Sequence, residues 1–166
     1  MKILVTYVSR TGNTKKVAQA IFNQIKGTKD IKELEQVDTL DGYDLTFVGF
    51  PIEGGYGPAK PAADFLQKHA AGQDIALFIT HAAPENSPNL PPWLDNCKEA
   101  AAQAKLVSVF DCQGELSEQM ADRMAKSKDE KLVAWAKTRP STIGQPDAAR
   151  LERARCWAKE VLAKRP

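Results

Sequence analysis

The chain contains no apolar run long enough to cross a membrane. Its first apolar stretch, residues 3–8, follows a single Lys and is too short for a signal peptide. It reads as a strand, and a cytoplasmic location is the expectation that follows. Cysteine is scarce: Cys97, Cys112 and Cys156 are widely spaced, with no C-x-x-C and no Cys/His spacing suited to a metal. Free thiols in a reducing compartment are expected. His69 and His81 are the only histidines, which excludes a His-rich metal site. The net charge is +2 and no dense Lys/Arg run stands outside the C-terminal end, so nucleic acid is not an expected partner. The patterns G-x-G-x-x-G and G-x-x-x-x-G-K-[ST] are both missing, which removes a dinucleotide fingerprint and a nucleoside-triphosphate loop. No Ser-His-Asp arrangement, paired carboxylates, internal repeat or low-complexity tract stands out.

What remains is an ordinary globular composition, with 166 residues, 43% hydrophobic and 27% charged, enough for one domain with a sizeable core. Its most informative stretch is Ser9-Arg10-Thr11-Gly12-Asn13-Thr14. It follows the apolar strand and precedes an amphipathic helix, expected over residues 15–26, with Val17, Ala20, Ile21 and Ile25 on one face. A helix N-terminus carries free N–H groups and roughly half a positive charge, which suits a phosphate. Ser9, Thr11 and Thr14 add hydroxyls, Asn13 adds an amide, and Gly12 permits close approach or positive φ. An ordinary helix cap needs one such residue rather than four.

Ser-x-Thr-Gly-Asn-Thr after an N-terminal strand resembles the phosphate loop of the flavodoxin-like family. The resemblance implies FMN as cofactor, with its phosphate on residues 9–14. It also implies a three-layer, doubly wound α/β fold whose five-stranded parallel sheet has the order 2-1-3-4-5. The chain departs from the family in its charge, since flavodoxins are strongly acidic and this sequence has a pI near 8.4.

The rest of the chain reads in that frame. Residues 31–37 form a weak, polar strand suited to an edge. Residues 45–50 and 75–80 are short, almost wholly apolar runs suited to central parallel strands, and residues 106–112 make the fifth. Helices are expected after Gly57-Pro58, with Ala62, Phe65 and Leu66 inward, over residues 93–103, and over residues 147–162. Between the fifth strand and the last helix, residues 114–146 are extra. Residues 117–137 read as helical, with Met120, Met124, Leu132 and Trp135 as apolar contacts, and residues 138–146 read as a loop. The expectation is a single domain over residues 1–166. Its extra segment either packs on the body, the simpler alternative, or covers the flavin or presents a partner surface.

By position, the resemblance assigns two further loops to the flavin. Pro51, Ile52, Glu53, Gly54, Gly55, Tyr56 and Gly57 form the second, and Thr80, His81, Ala82 and Ala83 open the third. Tyr56 either walls the ring or packs on its neighbours, and Ile52 or His81 are further wall candidates. A glycine peptide, Glu53-Gly54 or Gly54-Gly55, either turns its carbonyl toward the flavin on one-electron reduction, as the family implies, or only makes a tight turn. Arg10, Lys15, Lys16 and Lys60 stand near these loops, so a less extreme low potential than in an acidic flavodoxin is expected. The resemblance implies an electron carrier between redox protein partners. The alternatives are an FMN-dependent oxidoreductase acting on a quinone, porphyrinogen or other small molecule, and a binding module that has lost flavin.

Overall fold

The computed structural model describes residues 1–54 and 56–165. Gly55, one of the second-loop residues, lies outside the described residues. The parallel strands are β1 (Lys2–Tyr7), β2 (Thr28–Glu33), β3 (Leu45–Glu53), β5 (Asp74–His81) and β6 (Lys105–Gln113), ordered β2-β1-β3-β5-β6. Leaving aside the two-residue β4 (Gly57–Pro58), which turns back antiparallel on β3, this is the expected 2-1-3-4-5 arrangement.

The strand sequences explain why the sheet is covered twice. Ile3, Val5 and Tyr7 of β1 enter one core, with Leu45 and Phe47 of β3 and Phe78 of β5. Their neighbours Leu4, Val48, Phe50, Leu77 and Ile79 enter the other. Both side-chain sets are apolar, so each face needs a helical layer. Helices α1 (Asn13–Gln24) and α7 (Ala148–Ala163) cover the first face through Val17, Ile21, Ala154 and Ala158. Helices α2 (Lys60–His69) and α3 (Leu90–Glu99) cover the second through Phe65, Leu66 and Cys97. Burial pushes the Cys97 thiol up to about 12. Burial does the same for Cys112, helped by Glu85 and Asp111, which leaves Cys156 as the exposed thiol.

Several boundaries differ from the sequence expectations. The edge strand occupies Thr28–Glu33 rather than residues 31–37. The apolar Leu34 and Val37 belong to a 3-10 turn, Leu34–Gln36, and its end; reciprocal Glu33 and Gln36 side-chain bonds close that turn and drop both apolar residues into the core. The third helix starts at Leu90, with Pro91 and Pro92 in its first turn, and ends at Glu99. The extra segment is two helices rather than one, α4 (Glu118–Ala125) and α5 (Glu130–Ala136), because Asp129 takes the Lys131 N–H and starts a new helix. The expected loop over residues 138–146 contains a further short helix, α6 (Arg139–Thr142).

Gly49 tests the packing of β3 on β5. It sits beside Phe78 in register, and a Cβ there would come 1.9 Å from the Phe78 ring. Gly49→Ala is expected to cost about 3 kcal/mol or more, the upper range for overpacking a core. Urea unfolding checks this.

Candidate functional site

The order of the sheet reverses at β1, between β1 and β3, and loops leave the C-terminal ends of β1, β3 and β5 together. A doubly wound sheet binds its ligand there, a rule for which flavodoxin is itself a standard example. At β1 the chain turns into α1 through Gly12, whose φ of 93° is left-handed, so glycine is needed. Gly12 has no side chain with which to cap the helix, and the first turn holds no acidic residue. Ser9 Oγ accepts the N–H groups of Gly12 (3.1 Å) and Lys15 (3.2 Å), and keeps its own proton to donate. Among the described residues, no partner closes on the N–H groups of Asn13 and Thr14.

Two side chains fix this loop from behind. Thr14 and Thr80 share a buried hydroxyl–hydroxyl bond of 2.8 Å, tying α1 to the end of β5. Asn13 Nδ2 donates to the Glu115 carbonyl (2.9 Å), tying the loop to the start of the extra segment. Gly114 permits that contact, since a Cβ there would lie 2.6 Å from Asn13 Nδ2 and 3.0 Å from Asn13 Cβ.

The expected second loop is a hairpin. β3 continues through Glu53, and the Glu53 carbonyl accepts the Tyr56 N–H at 3.0 Å. Tyr56 has a φ of 58°, uncommon for a residue with a Cβ, and Asn96 of α3 donates to its carbonyl at 3.1 Å. Its ring stacks on Trp93 at 4.7 Å and 14°, and Trp93 stacks on Trp135 of α5 at 5.6 Å and 23°. Arg10 forms a two-pronged pair with Glu53, joining the first loop to the second.

The third loop is held from α7. Glu85 accepts from Arg150 (2.9 Å), Arg153 (2.9 Å) and the Gln113 N–H (3.2 Å). Burial alone would raise its carboxyl; the Arg153 bond, the Gln113 N–H and both arginine charges outweigh it and hold it below the ordinary range. The His81 ring is clamped, with Nδ1 2.9 Å from the Ala83 carbonyl and Nε2 3.0 Å from Asp111 Oδ2. With its side chain 1% exposed, His81 positions the loop and is not a free stacking surface.

These loops enclose a two-lobed cleft. The smaller lobe, about 140 Å³, is lined by Ser9, Arg10, Thr11, Asn13, Thr14, Pro51 and Thr80, among others. The larger, about 730 Å³, is lined by Ile52, Glu53, Gly54, Tyr56, His81 and Ala82, and also by Met120, Met124, Leu132 and Trp135. Among the described residues, three assigned ones line neither lobe: Gly12 shapes the helix start, Gly57 pairs with Glu53, and Ala83 is buried next to His81. Sequence reasoning missed Trp93, Leu116 and Ser117, and left open whether the apolar residues of α4 and α5 cover the flavin. Their helical spacing was visible, but not the cleft it faces. The extra segment therefore lies over the ligand end rather than on the body of the sheet. A separate recess at the opposite end of the strands, about 520 Å³, is lined by Met1, Asp44, Asp74, Lys164 and Arg165. Its charges serve one another, Arg165 donating to Asp74 at 2.8 Å and to the Asp44 carbonyl at 3.2 Å.

The family profile described as Flavodoxin domain matches residues 4–155. The chain belongs to the flavodoxin family. It is similar to the flavodoxin-like domain-containing protein BilS of Clostridioides difficile (strain CD3), 28% identical over 174 residues that cover 99% of this chain and 98% of that protein. In fold it is similar to oxidised flavodoxin 2 from Bacillus cereus, with a TM-score of 0.65 and 20% identity over 99% and 100% of the two chains. A Lactobacillus acidophilus flavoprotein solved with FMN covers 75% of this chain and 99% of its own, with a TM-score of 0.53 and 22% identity. Family membership supports FMN as the cofactor, and the free N–H groups at the start of α1 fit its phosphate. No helix among the described residues is long and apolar enough to cross a membrane.

Thr14→Val should cost about 1–3 kcal/mol, because the buried Thr80 hydroxyl loses its partner, while Thr14→Val with Thr80→Val should recover most of that loss. Chemical unfolding of the four proteins of this cycle checks it. Glu85 gives a pH signature. Its carboxyl is depressed, so the stabilisation is complete above the ordinary carboxylate range and is lost as pH falls through the lowered value. Glu85→Gln should therefore be less stable than the parent at neutral pH, by about 1 kcal/mol after solvent screening. The difference should fade on acidification, as thermal unfolding across a pH series would register.

Proposed function

We propose that this protein is an FMN-binding electron-transfer protein that moves electrons between redox partners. The observation that carries this reading is the phosphate cradle, where the free N–H groups of α1 open beside the point at which the sheet order reverses. The bound Lactobacillus flavoprotein lends support through its FMN. Bound FMN would supply the one- and two-electron chemistry, leaving binding and electrostatics to the protein.

Ser9, Thr11 and Asn13 would hold the phosphate, with Lys15 and Lys16 adding positive potential on the first turn of α1. Ile52, Glu53 and Gly54 would lie along the ring. Of the two candidate peptides only Glu53-Gly54 is described, and its carbonyl is engaged by Tyr56 N–H, so reorienting it would break the hairpin turn. Arg10 compensates the charge of Glu53, and Lys60 is spent on Asp64 at 2.8 Å. Glu53 is thus compensated beside the ring and Arg123 also lines the larger lobe, in keeping with a potential less extreme than that of an acidic flavodoxin.

A second reading, an FMN-dependent oxidoreductase with a small-molecule substrate, is favoured by the apolar wall of α4 and α5 over the larger lobe. Anaerobic stepwise reduction of the FMN-loaded protein separates the two. Electrons entering in two resolved steps support the carrier, and a single two-electron step supports the oxidoreductase. In either case Arg10→Gln should lower the potential, by leaving Glu53 uncompensated beside the reduced ring, as a redox titration against the parent would register.

A further inference from the structure

Helices α4 and α5 cover the cleft without being covered themselves. Among their described residues only Ala121 of α4 is buried, and α5 buries none. Each helix nevertheless gathers its large apolar side chains on one side, Met120 and Met124 one turn apart on α4, Leu132 and Trp135 on α5. All four line the larger lobe, and Met120 remains 41% exposed. Helices of 8 and 7 residues are too short to stand alone in water, so their position depends on what they pack against.

Their position is set by a stitched stem. The segment leaves and rejoins the body through Glu115 N–H to the Gln145 carbonyl (3.0 Å), Leu116 N–H to Thr142 Oγ1 (3.0 Å) and Gly144 N–H to Glu115 Oε2 (2.9 Å). The same stem holds Asn13 of the phosphate loop. Phosphate cradle and apolar wall are thus built into one frame. The third loop, by contrast, offers Ala82 and Ala83, which have no side chain large enough to face a ring. The Tyr56–Trp93–Trp135 stack joins the hairpin side of the cleft to the α5 side.

We propose that α4 and α5 form the second wall of the flavin ring site, with Met120, Met124, Leu132 and Trp135 facing the isoalloxazine across from the β3–β4 hairpin. This rests on the FMN reading above. FMN is the occupant because the lobe they line is continuous with the phosphate lobe; Arg10, Thr11, Ile52, Glu53 and Met120 border both. The wall supplies from an extra segment the apolar surface that the third loop lacks. Because its side chains are apolar and offer the phosphate no hydrogen bond, its removal should weaken riboflavin and FMN by the same factor.

The test is titration of the full-length apoprotein with FMN and with riboflavin, for the parent, Trp135→Leu, and Met120→Ala with Met124→Ala. Iodide quenching of the bound flavin is measured alongside. Both variants should lose roughly tenfold or more in affinity for each flavin, the scale expected for lost apolar contact. Iodide should reach the bound flavin more readily, a change that a stability defect alone would not produce. Ser9→Ala should weaken FMN and leave riboflavin unchanged. If the parent binds FMN while both wall variants keep its affinity and its iodide protection, the wall is overturned and the cofactor reading stands. If the parent takes up neither flavin, the cofactor reading fails and the wall with it.

Discussion

The first turn of α1 presents N–H groups that no side chain closes, and the rest of the ligand end is arranged around them. Gly12 makes this possible. In a left-handed conformation and without a side chain, it starts the helix but cannot cap it. Ser9 relieves two of the donors and leaves those of Asn13 and Thr14 facing the cleft. Such donors suit a dianionic phosphate, and their placement is not adjustable. The Thr14–Thr80 bond fixes α1 against β5, and Val17, Ala18 and Ile21 seat it on a core whose strands are apolar on both faces. Two covered faces leave the strand ends as the place where polar backbone meets solvent, which is why the cradle, the hairpin and the third loop converge there.

The acidic side chains of the flavin loops are answered locally. Glu53 is answered by Arg10 from the neighbouring loop, and Glu85 by Arg150 and Arg153 of the last helix. The second arrangement recruits α7, otherwise a packing helix, to hold the loop after β5, while His81 clamps the same loop through Ala83 and Asp111. The +2 net charge therefore says less about the ring than it first suggests. What bears on a bound flavin is which carboxylates remain unanswered beside it, and both acidic side chains anchored in these loops are paired.

The sheet was legible because its signals are local. Apolar runs of strand length, separated by helical spacing and stopped by Gly27 and Gly72, report a parallel sheet without any contact being known. Residues 9–14 were legible for the same reason, since donors, glycine and helix start are neighbours in the chain. Leu34 and Val37 misled because spacing cannot tell an edge strand from a 3-10 turn that also buries its apolar residues. Trp93 stands at the start of the helix expected over residues 93–103, and nothing near it in sequence points to its partner in the stack, Tyr56, which lies in a hairpin far back in the chain.

The extra segment marks the limit of such reading. Met120, Met124, Leu132 and Trp135 announce apolar faces, yet periodicity gives a face without giving what it faces. That is decided by Asn13 reaching the Glu115 carbonyl across 102 positions of chain, and by Gly114 leaving room for it. A larger residue at position 114 would push Asn13 away and, with it, the stem that carries α4 and α5. The phosphate loop and the extra segment therefore hold one another in place. The loop keeps its donors facing inward partly because Asn13 is anchored in the stem, and the stem points over the cleft because Asn13 anchors it there. Local patterning specified each piece, and their joint function arises only where the fold brings them together.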